Sequence, residues 1–224
     1  MTTVAIVGNG SLDLLPELSL YMDEIDVWIG ADRGALTLIE NHITPDYALG
    51  DFDSISQEEK AIVKQHAYLF EEHPVEKNST DLELALRIAY EWKPVSIYLF
   101  GVTGGRLDHE IINIQTLYSI AKRGMQGFIV DKDNWLTMVE PGTHTVTNDI
   151  NYPNLSFVPF TQQVRGLSLE GFYYPLVNQN LSWGSTRCIS NKLLLKNGTF
   201  SFNEGILLLI KSRDAINETI PIKK

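Results

Sequence analysis

Residues 50–56 read GDFDSIS, which places Asp51 and Asp53 two positions apart behind a glycine. Carboxylates at i and i+2 of an extended segment point to the same side, so this pair could grip one hard cation such as Mg²⁺ through oxygen. A helix start accounts for the same residues: Ser54 or Ser56 would cap a helix beginning near Gln57, with acids nearby favoured by its dipole. Ser56 and Glu59 have the spacing of a capping box, and that pattern needs neither aspartate.

Three further patches combine Gly, Asp and basic residues. GADRGA (30–35) places Asp32 and Arg33 after an apolar run, where Asp32 could hydrogen-bond a ligand or cap a helix, with Gly34 easing the turn. EKNSTDLELALRIA puts Lys77 before a second capping pattern, Thr80 with Glu83, so Asp81 falls in the first turn of a helix. In GVTGGRLDHEIINIQTLYSIAKRG (101–124), Gly104 and Gly105 allow close backbone approach and Arg106 offers a fork to phosphate oxygens. The helix start that carries Asp108 favours an anion in its own right. Arg106, His109 and Asn113 share one face of that helix, whose apolar stripe reads Leu107, Ile111, Ile114, Tyr118, Ala121. GNGSLD (8–13) follows the apolar run VAIV; its glycines either open backbone N–H groups to an anion or simply make a turn. Neither a P-loop nor a complete G-x-G-x-x-G occurs, so any nucleotide is held another way.

These patches need a frame. Through residue 133, short Val- and Ile-rich runs alternate with helical segments, one of them through DLLPELSLYM, predicting a Rossmann-like parallel sheet with helices on both faces. In such sheets the carboxyl edge binds ligands. From residue 134 to 224 the runs are β-type, punctuated by PG, EG and NG, which predicts a small antiparallel β-sandwich. Lys196-Asn197-Gly198-Thr199 is the signature of a type I′ hairpin.

The 224 residues carry 44% hydrophobic and 21% charged side chains, as a folded globular protein does, and a formal charge of −10 that argues against nucleic acid as a partner. The single cysteine, Cys188, can form no internal disulfide and reads as a buried small hydrophobe. No stretch approaches a membrane span and no basic leader opens the chain, so the cytoplasm is the expected compartment. His42, His66, His73 and His144 lack metal-ligand spacing.

Taken in order, ADRGA, GDFDSI, KNSTDLELAL and GVTGGRLDHEIINI, followed by GFYYPL and ISN (189–191), make the chain resemble the thiamine diphosphokinase (thiamine pyrophosphokinase) family. The resemblance implies transfer of a diphosphate group from ATP to the hydroxyethyl oxygen of thiamine, with AMP released. It implies a catalytic set of Asp51, Asp53, Asp81 and Asp108, with Asp51, Asp53 and Asp81 as Mg²⁺ ligands. Asp32, Lys77, Gly104, Gly105, Arg106 and Asp108 would hold ATP, and Tyr174, Ser190 and Asn191 of the second domain would hold thiamine. A homodimer with the site at the subunit interface is also implied. The chain departs from the family pattern at Arg33, Asn78 and Cys188, where the family often has glycine, an acid and glycine.

Two other readings compete. A haloacid-dehalogenase-like phosphatase would end a strongly apolar N-terminal strand with its nucleophilic aspartate, and PDYALGDFDS is neither apolar nor N-terminal. A non-catalytic thiamine or nucleotide binder would gain little from so many acids without a metal.

Overall fold

The computed structural model describes residues 1–74 and 79–214. The chain divides at residues 132 and 133 into two units.

In the first unit the apolar runs become strands β1 (Thr3–Val7), β2 (Val27–Ala31), β3 (Tyr47–Gly50), β4 (Leu69–Glu72), β5 (Ser96–Phe100) and β6 (Gln126–Val130). They pair in parallel in the order β4-β3-β2-β1-β5-β6. The chain starts at the centre, winds outward to β4, then restarts on the other side at β5. The switch therefore falls between β1 and β5, where Val7 pairs with Phe100, and a crevice opens beyond their carboxyl ends. β2 and β5 are buried throughout, as strands covered on both faces must be. The short outer strands β3 and β4 go unrecognised in the sequence, because YALG and LFEE are brief and β4 is an edge with partly exposed residues.

Helices α1 (Arg33–Glu40), α2 (Gln57–His66), α3 (Asp81–Glu91) and α4 (Leu107–Ala121) connect the strands. α1 and α3 pack on β1, β2 and β3, and α4 packs on β6. The helix expected through DLLPELSLYM does not form; only 3₁₀ turns at Leu12–Leu14 and Leu18–Tyr21 do. Pro16 lacks an N–H and forces its predecessor out of the helical region, and Leu15 is extended at ψ 129°. α4 also turns a different face inward. Leu117 and Ile120 are buried, whereas Leu107, Ile111 and Tyr118 of the expected stripe are 68%, 48% and 40% exposed. A helical period fixes which residues share a side, not which side meets the sheet.

The second unit contains β7 (Asn134–Val139), β8 (Gly142–Thr147), β9 (Asn154–Pro159), β10 (Gln163–Glu170), β11 (Leu176–Ser182), β12 (Asn197–Phe202) and β13 (Leu207–Ser212). All of its strand pairs are antiparallel, in two groups: β7-β13-β9 and β11-β10-β12-β8. Phe157 of the first group meets Phe172 and Phe200 edge-on at 5.6 and 5.0 Å, in a shared core that also takes Val164, Leu167 and Leu207. Cys188 is buried in that core, and burial raises its thiol pKa. The Asn197-Gly198 pair is no hairpin turn. It forms the first two residues of β12, opposite Thr147 and Val146 of β8. Gly198 is needed for space: a Cβ there would lie 2.3 Å from Leu193 Cδ2 and 2.9 Å from Phe172 Cε2.

Candidate active site

The crevice at the switch point is a cleft of about 420 Å³, lined by the loops after β1, β2 and β5 and by the starts of α3 and α4. Backbone bonds tie the first loop to the third: Gly8 N donates to Phe100 O (2.9 Å), Gly10 N to Gly101 O (2.6 Å) and Ser11 N to Thr103 O (3.3 Å). Cβ atoms at Gly8 and Gly10 would lie 2.8 and 2.5 Å from Gly101 O, so both glycines serve close approach of two loops. Their N–H groups are spent on that contact, so of the two readings of GNGSLD the turn holds and these two groups are not open to an anion. Asn9, between them, also lines the cleft.

Asp32 leaves β2 with φ 54° and ψ −125°, a costly backbone conformation for a residue with a side chain. It stands at the N-cap position of α1 yet makes no capping hydrogen bond, so helix capping does not explain it. Its backbone N–H donates to Leu49 O at 2.7 Å. Its Oδ2 accepts from Asn9 Nδ2 (3.0 Å) and Ser54 Oγ (2.7 Å). Its Oδ1 is buried and has no hydrogen-bond partner. The fold brings β3 in close behind it: a Cβ on Gly50 would sit 3.0 Å from both Cα and N of Asp32. Gly34 has no left-handed backbone angle and eases no turn; it packs directly on the exit of β1.

Asp51 and Asp53 converge by a different route from the alternation of an extended strand. Phe52 between them has φ 57°, and Asp53 N donates to Asp51 Oδ1 at 3.2 Å, so the segment is a turn. Burial of the Phe52 ring drives it: Phe52 is 2% exposed and stacks on Phe70 at 4.8 Å, leaving the aspartates outside. One carboxylate oxygen from each of Asp32, Asp51 and Asp53 lies within 4.8 Å of the others. The charge of Asp51, then loss of water, then the charge of Asp32 raise the pKa of Asp53, and Asp81 adds a smaller push. A buried carboxylate oxygen without a donor, beside two more carboxylates, is the donor set a hard divalent cation takes. Ser56 meanwhile caps α2 in a full capping box with Glu59, at 3.2 and 2.7 Å.

Asp81 lines the cleft from the first turn of α3, capped by Thr80, whose Oγ1 accepts from Glu83 N at 3.2 Å. The close trio takes Asp32 in place of Asp81, whose charge adds to the rise in the Asp53 pKa. At the other wall, Gly104 (φ 76°) precedes α4 and its N–H donates to Glu110 Oε1 at 2.8 Å. Arg106 forks onto Asp108, Nε to Oδ1 at 3.1 Å and NH2 to Oδ2 at 2.5 Å. That fork raises the Arg106 pKa and lowers that of Asp108. Gly105 has nothing near its missing Cβ, so the backbone there is open to a ligand. Carboxylates thus occupy the donors a polyphosphate would use. Arg106, His109 and Asn113 all line the cleft, and Asn113 also donates to Val102 O at 2.9 Å. The sequence gives no site role to Asn9 or Glu110, and marks Ser54 only as one of two possible helix caps. Lys77 and Asn78 lie outside the described residues.

In the second unit Phe172 is core at 1% exposure, whereas Tyr173, Tyr174 and Trp183 are 62%, 60% and 71% exposed. Asn191 is buried and its amide is spent inside the unit. Oδ1 accepts from Tyr174 N (3.0 Å) and Lys192 N (2.9 Å), and Nδ2 donates to Tyr174 O (2.9 Å). It therefore fixes the backbone that presents the Tyr174 ring. Ser190, at φ 56°, is exposed and its N–H donates to Ser156 Oγ at 3.0 Å.

Comparison with known proteins bears on both units. Residues 18–129 match the family described as thiamin pyrophosphokinase, catalytic domain, and residues 143–207 match thiamin pyrophosphokinase, vitamin B1 binding domain. A thiamine pyrophosphokinase of Bacillus subtilis (strain 168) is 44% identical over 214 residues, 96% of this chain and all of the relative. A crystal structure of thiamine pyrophosphokinase from Bacillus subtilis superposes with a TM-score of 0.90 at 44% identity, covering 96% of this chain and 100% of that one. A thiamin pyrophosphokinase from Geobacillus thermodenitrificans gives 0.87 at 45% identity, covering 96% and 99%. With both family regions matched in order, and identity of this size over nearly the whole length, the chain belongs to the thiamine pyrophosphokinase family.

Proposed function

We propose that the protein transfers the β,γ-diphosphate of ATP to the hydroxyethyl oxygen of thiamine, giving thiamine diphosphate and AMP. The observation that carries this is membership of the family along nearly the whole chain. The cleft supplies what the chemistry needs: Asp32 and Asp81 line it together with Gly105 and Arg106 of the α4 start, and Asp51 and Asp53 cluster with Asp32.

The new bond joins the thiamine oxygen to the β-phosphorus, and the bond from that phosphorus to the α–β bridging oxygen breaks, so AMP leaves. Asp51 and Asp53, with Asp81 or Asp32 alongside, would hold Mg²⁺. When bound, that ion would offset charge on the phosphoryl oxygens. Arg106, the open backbone at Gly105 and the N-terminus of α4 bind and orient the phosphates, with Glu110 and Asp108 giving up their contacts in exchange. Lys77 is assigned to the same polyphosphate. Asp32 supports the carboxylate cluster, and Asp81 orients the thiamine hydroxyl and accepts its proton. Tyr174 stacks on thiamine, Ser190 offers a polar contact, and Asn191 acts by holding Tyr174 in place. A homodimer in which the second unit of one protomer covers the thiamine site of its partner completes the proposal.

The test is incubation with ATP, Mg²⁺ and thiamine followed by separation of the nucleotides. Thiamine-dependent AMP supports the reading; ADP, or no product, rejects it. Asp51→Asn and Asp53→Asn should each abolish AMP formation without unfolding the protein.

A further inference from the structure

We propose that Asn9 and Ser54 are positioning residues for the cation site, holding the Asp32 carboxylate against the repulsion of Asp51 and Asp53. The inference rests on the reading that this cluster takes a divalent cation.

Asp32 needs holding. One of its oxygens sits within 4.8 Å of two further carboxylates, and its backbone is in a costly conformation at φ 54°. Like charges at this range push one another toward solvent, yet Asp32 is only 8% exposed. The two donors that keep it there come from separate segments: Asn9 Nδ2 from the loop after β1 at 3.0 Å, and Ser54 Oγ from the turn after Asp53 at 2.7 Å. Both are directed at Oδ2. Oδ1 is left buried and without a donor, a costly state that a bound cation would relieve.

Local structure does not account for either donor. Ser54 is not needed as a helix cap, because Ser56 closes the capping box of α2. Asn9 is not needed for its turn, whose bonds to the β5 loop are made by the backbone of Gly8, Gly10 and Ser11. Asn9 is exposed on the cleft and Ser54 is exposed beside Asp53, so each is available to shape the site at little cost to folding. Their common feature is Oδ2 of Asp32. Groups that orient a metal-facing carboxylate tune its cation affinity without touching the ion.

The test uses Mn²⁺ alone, titrated into the nucleotide-free protein and followed by the electron paramagnetic resonance signal of the free ion. Asn9→Ala and Ser54→Ala should each weaken Mn²⁺ binding by about tenfold, while Ser54→Thr, which keeps the hydroxyl, should return it close to wild type. In turnover assays the Mg²⁺ concentration for half-maximal rate should rise in the alanine variants, with KM for thiamine unchanged. Wild-type Mn²⁺ affinity in both alanine variants, with far-UV circular dichroism showing them folded, would overturn the proposal. Should the wild type itself bind no Mn²⁺, the cation reading beneath the proposal fails too. Thiamine-dependent AMP formation, measured separately, tells that failure apart from failure of the proposed activity. If Asn9→Ala does not fold, the Ser54 pair alone decides the outcome.

Discussion

Replacing Gly34 by alanine sets two effects of opposite sign against each other. Gly34 lies in the first turn of α1, where helix propensity alone would favour alanine by about 1 kcal/mol. The new Cβ, however, would lie 1.9 Å from Val7 O, 2.5 Å from Val7 C and 3.0 Å from Gly8 O. These are backbone atoms, and Val7 is pinned between Gly30 of β2 and Phe100 of β5. No rotamer change can relieve the clash, so α1 must retreat by about 1 Å, an overpacking strain that costs roughly 1–3 kcal/mol and more where backbone has to move. The retreat also opens the contact of Gly30 with Ala35, where a Cβ on Gly30 would be only 2.3 Å from Ala35 Cα. With the cost at the upper end of that range and the gain of about 1 kcal/mol set against it, we expect a net loss of about 2 kcal/mol, lowering the urea midpoint by roughly 1 M. Asp32 immediately precedes α1, so Mn²⁺ affinity should fall as well. Urea unfolding followed by far-UV circular dichroism measures the first, and Mn²⁺ titration the second. A midpoint equal to or above wild type would mean that propensity outweighs the clash and would refute the reasoning.

Further outcomes are expected. Ser56→Ala removes the side-chain acceptor of the α2 capping box and should cost about 1 kcal/mol, or roughly 2–4 °C in the melting temperature by calorimetry, with AMP formation by the folded protein unchanged. The pKa of Asp53 is raised by the negative charge of Asp51, so without cation the folded state holds the Asp53 proton more tightly than the unfolded chain does. That group adds stability below its ordinary value and loses it as pH rises through the raised one. Carbon-detected NMR of the cation-free protein should show Asp53 titrating above the usual 3.8 and moving back down in Asp51→Asn. Mn²⁺ binding should weaken over the same window as pH falls. Asp108 has the opposite sign: Arg106 lowers its pKa, so its contribution is present above 3.8 and lost as pH falls through the lowered value. Both side chains are largely exposed, which keeps that effect small.

Strands such as β1, β2 and β5 announce themselves because burial on both faces demands unbroken apolar runs. β11, LVNQNLS, does not, since as the last strand of its sheet it buries few residues and reads as a polar loop. The Asn-Gly pair misleads because its usual meaning concerns backbone angles, whereas here glycine makes room for the side chains of Leu193 and Phe172, which only the fold brings against it. The acids of the cleft are legible because several carboxylates near glycines are expensive unless they do something. Asn9 and Ser54 are not, because an amide or hydroxyl beside a glycine or an aspartate already has a local explanation in turn chemistry. Only the distances to Asp32 Oδ2 remove that explanation.

The placement of Asn197-Gly198 at the start of β12 also bears on how the protein ages. In a flexible chain this pair degrades readily: the glycine nitrogen attacks the asparagine side-chain carbonyl and expels ammonia. The cyclic imide that forms then opens to aspartate or isoaspartate. The attack needs the backbone to fold back on itself, and an extended strand paired with Thr147 and Val146 denies it that freedom. Residue 197 can therefore acquire its negative charge only when β12 parts from β8. The slow appearance of isoaspartate at this position becomes a built-in clock for local opening of the second unit.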